Sequence, residues 1–504
     1  MQNRIYWIVE WFFSDPIRQR NQKQRLQTLQ YIWEKCKDIN AYIFCPKNNI
    51  YVAQKPYTLY TAKKAKEFRN YTDLCKKHKI QFIYWINPKL WEKELLEEDK
   101  TIKKIIRKFM QMKSSGCDSF CLLFDDIPIA YDVFCKNREI DSLISKKIIE
   151  IVNGVYDIIK NDCKIFLFCG PDYCFKTKNA FTNELWWLHS DIYIFWTWNN
   201  VFTNNIVKAN INKVKKITWN KKIAIWKNYP VNDLQQNTGM FNLWGYKPFD
   251  EEKNSDIPIF INPMREFWAS FGHFKTFSDY IQDPSKYNSD KNMTNTIMSL
   301  LDVDNKIAQT IKLIAQFDIY DNQEKIRDIL PLIRQKNILN TVKNIKPSTK
   351  WGKIFFHSIN TLTKQISYLA DIIDKITRES KINKTSLQRD VFPTTSANPR
   401  YFTEIYDIIA KRSSLWYFSP RWLSQLSYFK TYKKAFLQRY AGSKGLKNID
   451  EYKERYVRLS KNIIDLDQKQ LIIFLNDENM SKKERIEVFI KRFYINRFYI
   501  GILD

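Results

Sequence analysis

Asp125 and Asp126 stand side by side at the end of an apolar run, CLLFDDIP. Adjacent carboxylates on an extended segment point to opposite sides, so one faces one way while its neighbour leans toward another loop. Close carboxylates also oppose each other's ionisation, which holds a proton on one of them and suits general acid and base chemistry. The plainer role of such a pair is a loop cap or a solvated turn, so the pair needs company to count as a site. That company is present. Six other apolar runs close in CPKNN, WINP, CGPDY, WTWNN, WKNYPVND and INP, each bringing amides, carboxylates, a cation or an aromatic to the end of a hydrophobic stretch. The four histidines, His78, His189, His273 and His357, are scattered singly and carry neither a zinc spacing nor a histidine triad. The nine cysteines form no CxxC pair and read as reduced core residues.

The elements that must position these groups follow from periodicity. Short β-branched and aromatic runs recur eight times: Arg4–Phe12, Ala41–Pro46, Gln81–Asn87, Ser119–Asp125, Lys164–Cys169, Ile192–Thr197, Lys222–Asn228 and Pro258–Asn262. Between them, Arg25–Lys37, Ala62–Lys79, Thr101–Ser115, Ser142–Lys160 and Ile206–Thr218 repeat apolar residues every three or four positions, the helical period. Eight β-then-α units over residues 1–285 predict an α/β fold, a (β/α)8 TIM-like barrel. An open doubly wound sheet shares the same count of strands. In a barrel, polar groups at strand C-termini assemble the active site, and the seven polar run-ends sit there.

From residue 286 the strand pattern stops. Met293–Phe317, Gln323–Arg334, Lys353–Ile376, Phe402–Ser413, Leu423–Arg439 and Tyr452–Phe474 read as helices, with breakers DIYDN, NIKPSTK, DVFPTTSANPR, FSPRW and AGSKG between them. Residues 286–504 are therefore expected to be an all-α helical region. At 504 residues, 44% hydrophobic and 15% aromatic, the chain is too apolar to be disordered. Lys and Arg exceed Asp and Glu by 82 to 54, a net +28. The excess is mostly lysine, spread evenly and without an arginine block, as AT-rich coding would produce, so no nucleic-acid partner is expected. No apolar run of about 18 residues predicts a membrane span. The first twenty residues lack a signal peptide's cationic start and apolar core, which makes the cytoplasm the default location.

The residues around the aspartates resemble glycoside hydrolase family 84, the O-GlcNAcase and bacterial β-N-acetylglucosaminidase group, hyaluronidase-like members included. The likeness runs in order through IVEWFFSDP, YIFCPKNNIY, CLLFDDIP, LFCGPDYC, FWTWNN, IWKNYPVND and FINPMREF. It implies a retaining exo-β-N-acetylglucosaminidase acting on terminal GlcNAc of glycans or O-GlcNAc protein, in which the substrate's own 2-acetamido oxygen attacks the anomeric carbon. Asp125 is then implied to orient that acetamide, and Asp126 to act as general acid and then base. Tyr173 would bond near the acetamide, Trp226 would wall its methyl group, and Lys47, Asn228, Asp233 and Asn262 would hold the sugar's hydroxyls and acetamide. Neither a cofactor nor a metal is expected, and the implied partner is a GlcNAc-bearing glycan or glycoprotein.

The chain also departs from the family pattern. Trp11 and Ser14 stand where the first-strand motif carries glycines, Trp198 replaces another glycine, Asn48 and Asn49 replace aspartates, and Lys227 replaces an aspartate between Trp226 and Asn228. An indole at a loop glycine takes volume a sugar needs. A lysine beside the carboxylates would lower their pKa. The alternative to a working hydrolase is therefore a catalytically impaired member that binds a glycan or a protein. A chitinase-like site ranks lower, because the fourth run has no DxxDxDxE.

Overall fold

The computed structural model describes residues 6–10, 22–46, 51–52, 55–88, 97–125, 142–198, 200–203, 205–231, 243–254, 256–264, 267–315, 341–342 and 344–359. The chain divides into two compact units, residues 1–231 with 245–292, and residues 232–244 with 293–504.

The first unit is a closed barrel of eight parallel strands in sequence order: β1 Tyr6–Glu10, β2 Ala41–Phe44, β3 Gln81–Ile86, β4 Ser119–Leu123, β5 Ile165–Cys169, β6 Tyr193–Trp196, β7 Ile223–Lys227 and β8 Ile259–Ile261. All eight expected strands form. β8 pairs with β1 through Phe260 and Trp7, which closes the ring and excludes the open sheet. Helices return the chain between strands, with α1 Gln22–Lys35, α2 Ala62–Lys77, α3 Glu98–Ser114, α4 Ser142–Ile159, α5 Ala180–Glu184, α6 Lys208–Ile217 and α7 Phe271–Gln282. The sequence shows why they form. In α3, Ile102, Ile105, Phe109 and Met112 lie three or four residues apart and are buried, while Glu98 and Asp99 open the helix and Lys113 ends it, matching the helix dipole. Thr61 caps α2 by accepting the Lys64 amide at 3.4 Å.

Register around the ring fixes which side chains point inward. The paired sets Trp7 with Ala41, Ala41 with Gln81, Trp85 with Cys121, Cys121 with Leu167, Leu167 with Tyr193, Phe195 with Ala224, and Trp226 with Phe260 share one face of the sheet. Odd positions therefore face the interior on β1 to β6, and even positions on β7 and β8. The interior mixes aliphatic with aromatic side chains: Val9, Ile43, Ile83 and Leu167 share it with Trp7, Trp85 and a cluster in which Phe195 meets Phe260 at 4.6 Å and Trp226 at 5.2 Å between ring centroids, both edge to face. Outward positions pack on the helices. Glu10, fully buried, accepts from the Arg25 Nε of α1 at 3.1 Å and from the Tyr42 hydroxyl, and the Arg25 guanidinium lies 4.7 Å from the Phe44 ring centre. That pair ties α1 to β1 and β2. Desolvation opposes the Arg25 charge, but Glu10 and neighbouring groups raise its pKa above the ordinary value.

In the second unit, the single helix expected over Met293–Phe317 is two, α8 Ser289–Leu301 and α9 Asn305–Ala315. The break is at Asp302, whose φ of 55° is left-handed, followed by Asp304, which caps α9 by accepting the Ile307 amide at 2.8 Å. Asp at a C′ position and Asp at an N-cap are the signal that apolar periodicity alone passed over. Residues 350–359 are helical, with the Thr349 hydroxyl accepting the Gly352 amide at 2.9 Å. The helices expected over Gln323–Arg334, Phe402–Ser413, Leu423–Arg439 and Tyr452–Phe474 lie outside the described residues, as does the later part of Lys353–Ile376. No described helix is long and apolar enough to cross a membrane.

Candidate active site

The mouth of the barrel, at the strand C-termini, is where inward-facing positions change from apolar to polar. Asn87 follows β3, Asp125 follows β4, Thr197 follows β6, Asn228 follows β7 and Asn262 follows β8, all on the inward parity. For Asp125 the alternation persists past the strand, because the Phe124 amide still bonds the Cys169 carbonyl at 2.8 Å. Asp125 also lies on the side of β4 that carries Cys121, whose thiol pKa is pushed far up by burial and then by Cys169 and Asp125.

Asn228 organises one side of this ring. Its Oδ1 accepts from the Trp226 Nε1 at 2.9 Å and from the Asn262 Nδ2 at 2.9 Å, and its Nδ2 donates to the Val201 carbonyl at 2.7 Å. Three protein partners thus leave one N–H of the amide for anything else. Trp226 is fixed through its ring nitrogen and lies 13° from coplanar with Phe260, with centroids 6.1 Å apart. Asn262, 3% exposed, keeps a buried Oδ1 with no donor, although its other amide atom is used. Backbone bonds add rigidity, since the Asn262 amide donates to the Lys227 carbonyl at 3.0 Å and its own carbonyl accepts from Val231 at 3.0 Å.

Tyr173 is carried by the loop after β5. Asp172 makes a tight turn there by accepting the Cys174 amide at 3.1 Å, and holds Asn179, the cap of α5, at 2.5 Å. Burial raises the Asp172 pKa against those two bonds. The Tyr173 carbonyl accepts both the amide of Thr197 at 3.0 Å and its hydroxyl at 3.3 Å, which joins this loop to the end of β6. Gly170 is required at the loop's start, because a Cβ there would sit 2.0 Å from the Phe181 ring.

The structure thus joins Trp226, Asn228 and Asn262 in one hydrogen-bonded cluster at the mouth and sets Asp125 at the inward end of β4 across the ring, with half-buried Tyr173 on the loop after β5. Lys47, Asp126 and Asp233, together with Trp11, Ser14, Asn48 and Asn49, lie outside the described residues. Asn87 is a polar mouth residue that motif matching passed over. It is 5% exposed and its buried Oδ1 has no donor. The signal was available: WINP ends the β3 run on an inward position with an amide.

Two of the departures have a definite place. Lys227 does not share the inward side of the barrel with Asp125. Its parity on β7 sends it outward, where its Nζ donates to the Lys247 carbonyl, lies 3.8 Å from Glu252 Oε2 and sits 3.7 Å over the Phe249 ring. Glu252 is itself held by the Tyr246 hydroxyl at 2.7 Å and the Phe249 amide at 3.0 Å. Burial lowers the Lys227 pKa to about 8 despite Glu252. Trp198 adopts a left-handed backbone, φ 75°, and turns its indole edge to face onto Trp196, 5.1 Å away. Trp196 is an outward residue of β6, buried and bonded through Nε1 to the Phe175 carbonyl at 3.2 Å. The left-handed backbone explains why glycine suits that position.

Among the described residues no cluster of three or more His, Cys, Asp or Glu is arranged to hold a metal. Residues 8–316 match the model of the family described as beta-N-acetylglucosaminidase. The protein O-GlcNAcases of Rattus norvegicus and Mus musculus are each 25% identical over 284 residues, 54% of this chain. The chain spans 29% of the length of those curated relatives. Among solved structures, a mutant O-GlcNAc hydrolase of Thermobaculum terrenum superposes with a TM-score of 0.58 at 18% identity, covering 88% of this chain and 97% of its own. CpGH84B superposes with a TM-score of 0.59 at 19% identity, covering 90% of this chain and 76% of its own.

Proposed function

This chain belongs to the beta-N-acetylglucosaminidase family, glycoside hydrolase family 84, and on that premise we propose that it is a retaining exo-β-N-acetylglucosaminidase. The observation that carries the reading is the pair of buried, donor-free amide oxygens at the mouth, on Asn87 and Asn262, set in the ring that contains Asp125. An acceptor buried without a donor is costly unless something supplies one, and a sugar's hydroxyls and amide N–H are donors of the right kind. Trp226 adds an apolar wall for the acetamide methyl.

In this mechanism Asp125 accepts the acetamido N–H and aligns the carbonyl oxygen with the anomeric carbon. That oxygen forms the new bond as the glycosidic bond breaks, and the leaving oxygen takes a proton from Asp126. A cyclic oxazoline-type intermediate results. Asp126, now a carboxylate, removes a proton from water as water opens the ring, so two inversions give retention. Asn228, with most of its amide committed to protein, orients Trp226 and Asn262 and has one N–H for substrate. The natural substrate is proposed to be terminal GlcNAc on a glycan or on O-GlcNAc protein.

The test is release of chromophore from an aryl β-N-acetylglucosaminide by the wild type, Asp125→Asn and Asp126→Asn. An activated aryl leaving group needs little acid assistance, so Asp126→Asn should keep measurable activity while Asp125→Asn loses it. Equal loss in both, or wild-type release that gives the inverted anomer by NMR, would defeat the assignment.

A further inference from the structure

Lys108 of α3 is fully buried, and among the described residues no carboxylate pairs with its ammonium. It lies beneath the segment that leads from β2 into α2. Its Nζ donates to the Thr58 carbonyl at 2.5 Å, sits 3.5 Å over the Tyr60 ring and is 5.5 Å from the centre of the Tyr51 ring. A carbonyl and two ring faces offset part of the cost of taking an ammonium out of water, and less of it than a carboxylate would. Burial accordingly lowers the Lys108 pKa to about 7. The cover over it is thin, since the Thr58 and Leu59 side chains are exposed. Gln111, one turn further along α3, adds a neutral clasp: its side-chain amide accepts the Tyr60 amide and donates to the Tyr60 carbonyl, both at 2.8 Å.

The other ionisable groups around Lys108 are phenols, cations or carboxylates already engaged. Burial raises the Tyr60 and Tyr84 hydroxyls, which bond each other at 3.0 Å, well above their ordinary range. Lys104, one turn earlier on α3, lies 5.5 Å from the centre of the Tyr57 ring. Arg25 of α1, whose charge acts on Tyr60, is held by Glu10 at 3.1 Å. On α2, Glu67 bonds Lys64 at 2.5 Å. Toward α4, Glu98 bonds Lys147 at 3.0 Å, at the opposite end of α3 and about 15 Å along its axis from Lys108.

We propose that Lys108 is a proton-operated pin on the segment between β2 and α2: as a neutral amine it stays beneath residues 55–60 and holds them against α3, and protonation favours lifting of the segment so that the ammonium reaches water. The movement is linked to the mouth, because the Val52 carbonyl, earlier in the same connection, accepts the Asn87 amide at 2.9 Å. In the lifted state the amine has its ordinary pKa, 10.5, against about 7 when covered. Between those values the lifted state holds a proton that the covered state lacks, so opening is favoured about fifty-fold more at pH 7 than at pH 9, and the effect levels off below 7, where both states are protonated.

The inference goes beyond the hydrolase reading and is tested without it, by hydrogen exchange of the full chain read by mass spectrometry and corrected for the intrinsic pH dependence of exchange. In peptides covering residues 55–60, protection is expected to fall about fifty-fold in the wild type from pH 9 to pH 7, and by less than about threefold in Lys108→Met, which keeps the apolar stem and takes up no proton. Lys108→Gln, neutral and still able to donate to the Thr58 carbonyl, should behave as Lys108→Met does and keeps the comparison available if that variant misfolds. Protection over residues 55–60 should also stay well below that of the β3 amides at each pH, the mark of local rather than global opening. Wild-type protection that is flat from pH 9 to 7, an equal fall in the variants, or protection equal to that of β3 would overturn the proposal.

Discussion

Lys227 offers the sharpest test of how the barrel sorts its residues, because the sequence suggests a cation beside the proposed site and the structure sends it outward. Removing it as Lys227→Met keeps the apolar stem over Phe249 and deletes the ammonium near Glu252. Its folded pKa is depressed to about 8 from 10.5. The unfolded state therefore holds more protons than the folded state between those values, and stability contributed by this residue rises with pH through that window. Below pH 8 the full penalty of carrying a buried ammonium is present. A shift of that size corresponds to about 3 kcal/mol in total, of which about 1.3 kcal/mol should be recovered between pH 7 and 9. Buried thiols act in the opposite direction in the same range: Cys36, Cys75 and Cys117 have raised pKa values, so their unfolded forms deprotonate first and stability falls as pH rises above about 9. The difference between wild type and Lys227→Met cancels those terms. Glu252, left without the ammonium, retains the Tyr246 hydroxyl and the Phe249 amide. The assay is urea unfolding of both proteins at pH 7, 8, 9 and 10, followed by tryptophan fluorescence. The gap between them should move by about 1 kcal/mol or more in favour of the wild type from pH 7 to 9. The pH profile of kcat/KM should be the same for both. A flat difference in stability, or a shifted acidic limb of kcat/KM in the variant, would refute the outward placement.

Asn228→Ala orphans the Trp226 Nε1, the Asn262 Nδ2 and the Val201 carbonyl together, and at about 1 kcal/mol each the barrel should lose on the order of 3 kcal/mol in chemical denaturation, with KM rising as Trp226 loosens. Asn262→Ala removes one bond but also one donor-free acceptor, so stability should change by less than about 1 kcal/mol while kcat/KM for an aryl β-N-acetylglucosaminide falls about tenfold or more. A destabilised but fully active protein would show that this oxygen does not meet substrate. Trp198→Gly relieves a left-handed backbone worth about 1–2 kcal/mol and gives up an edge-to-face contact worth about 0.5–1.5 kcal/mol, so the midpoint of unfolding should shift little and kcat/KM should not improve. A large rise in kcat/KM would place that indole over the substrate instead.

The barrel was legible because a strand buried on both sides writes itself as a short apolar run, and eight such runs between amphipathic helices leave few architectures. Closure was not legible, since it rests on β8 meeting β1, a pairing between residues at opposite ends of the unit. The split of Met293–Phe317 was hidden for a local reason: Asp302 and Asp304 interrupt only three positions of an otherwise helical pattern, and their side chains and backbone angles, more than polarity, make the break. Type and order placed Trp226, Asn228 and Asn262 at the strand ends, yet no string of letters shows that Asn228 spends its amide on the other two. Asn87 was overlooked because an Asn-Pro pair reads first as a turn. Its inward register and donor-free oxygen are properties of the closed ring.

The same register sorts the residues that resemble the family motifs from those that depart from them. Asp125, Trp226, Asn228 and Asn262 match the family motifs, and all four lie on the inward parity. Lys227 and Trp198, both departures from those motifs, occupy the outward parity one residue away from the residues they interrupt. A strand side chain has no access to the opposite face of its sheet, so a change at an outward position is paid for in the helical layer: Lys227 finds Glu252 and the Lys247 carbonyl, and Trp198 finds Trp196. Alternation along two strands therefore places a lysine and an indole next to the inward polar positions while the Trp226, Asn228 and Asn262 hydrogen bonds stay intact. A substitution at Asn228 has no such outlet, because its one oxygen accepts from both Trp226 and Asn262.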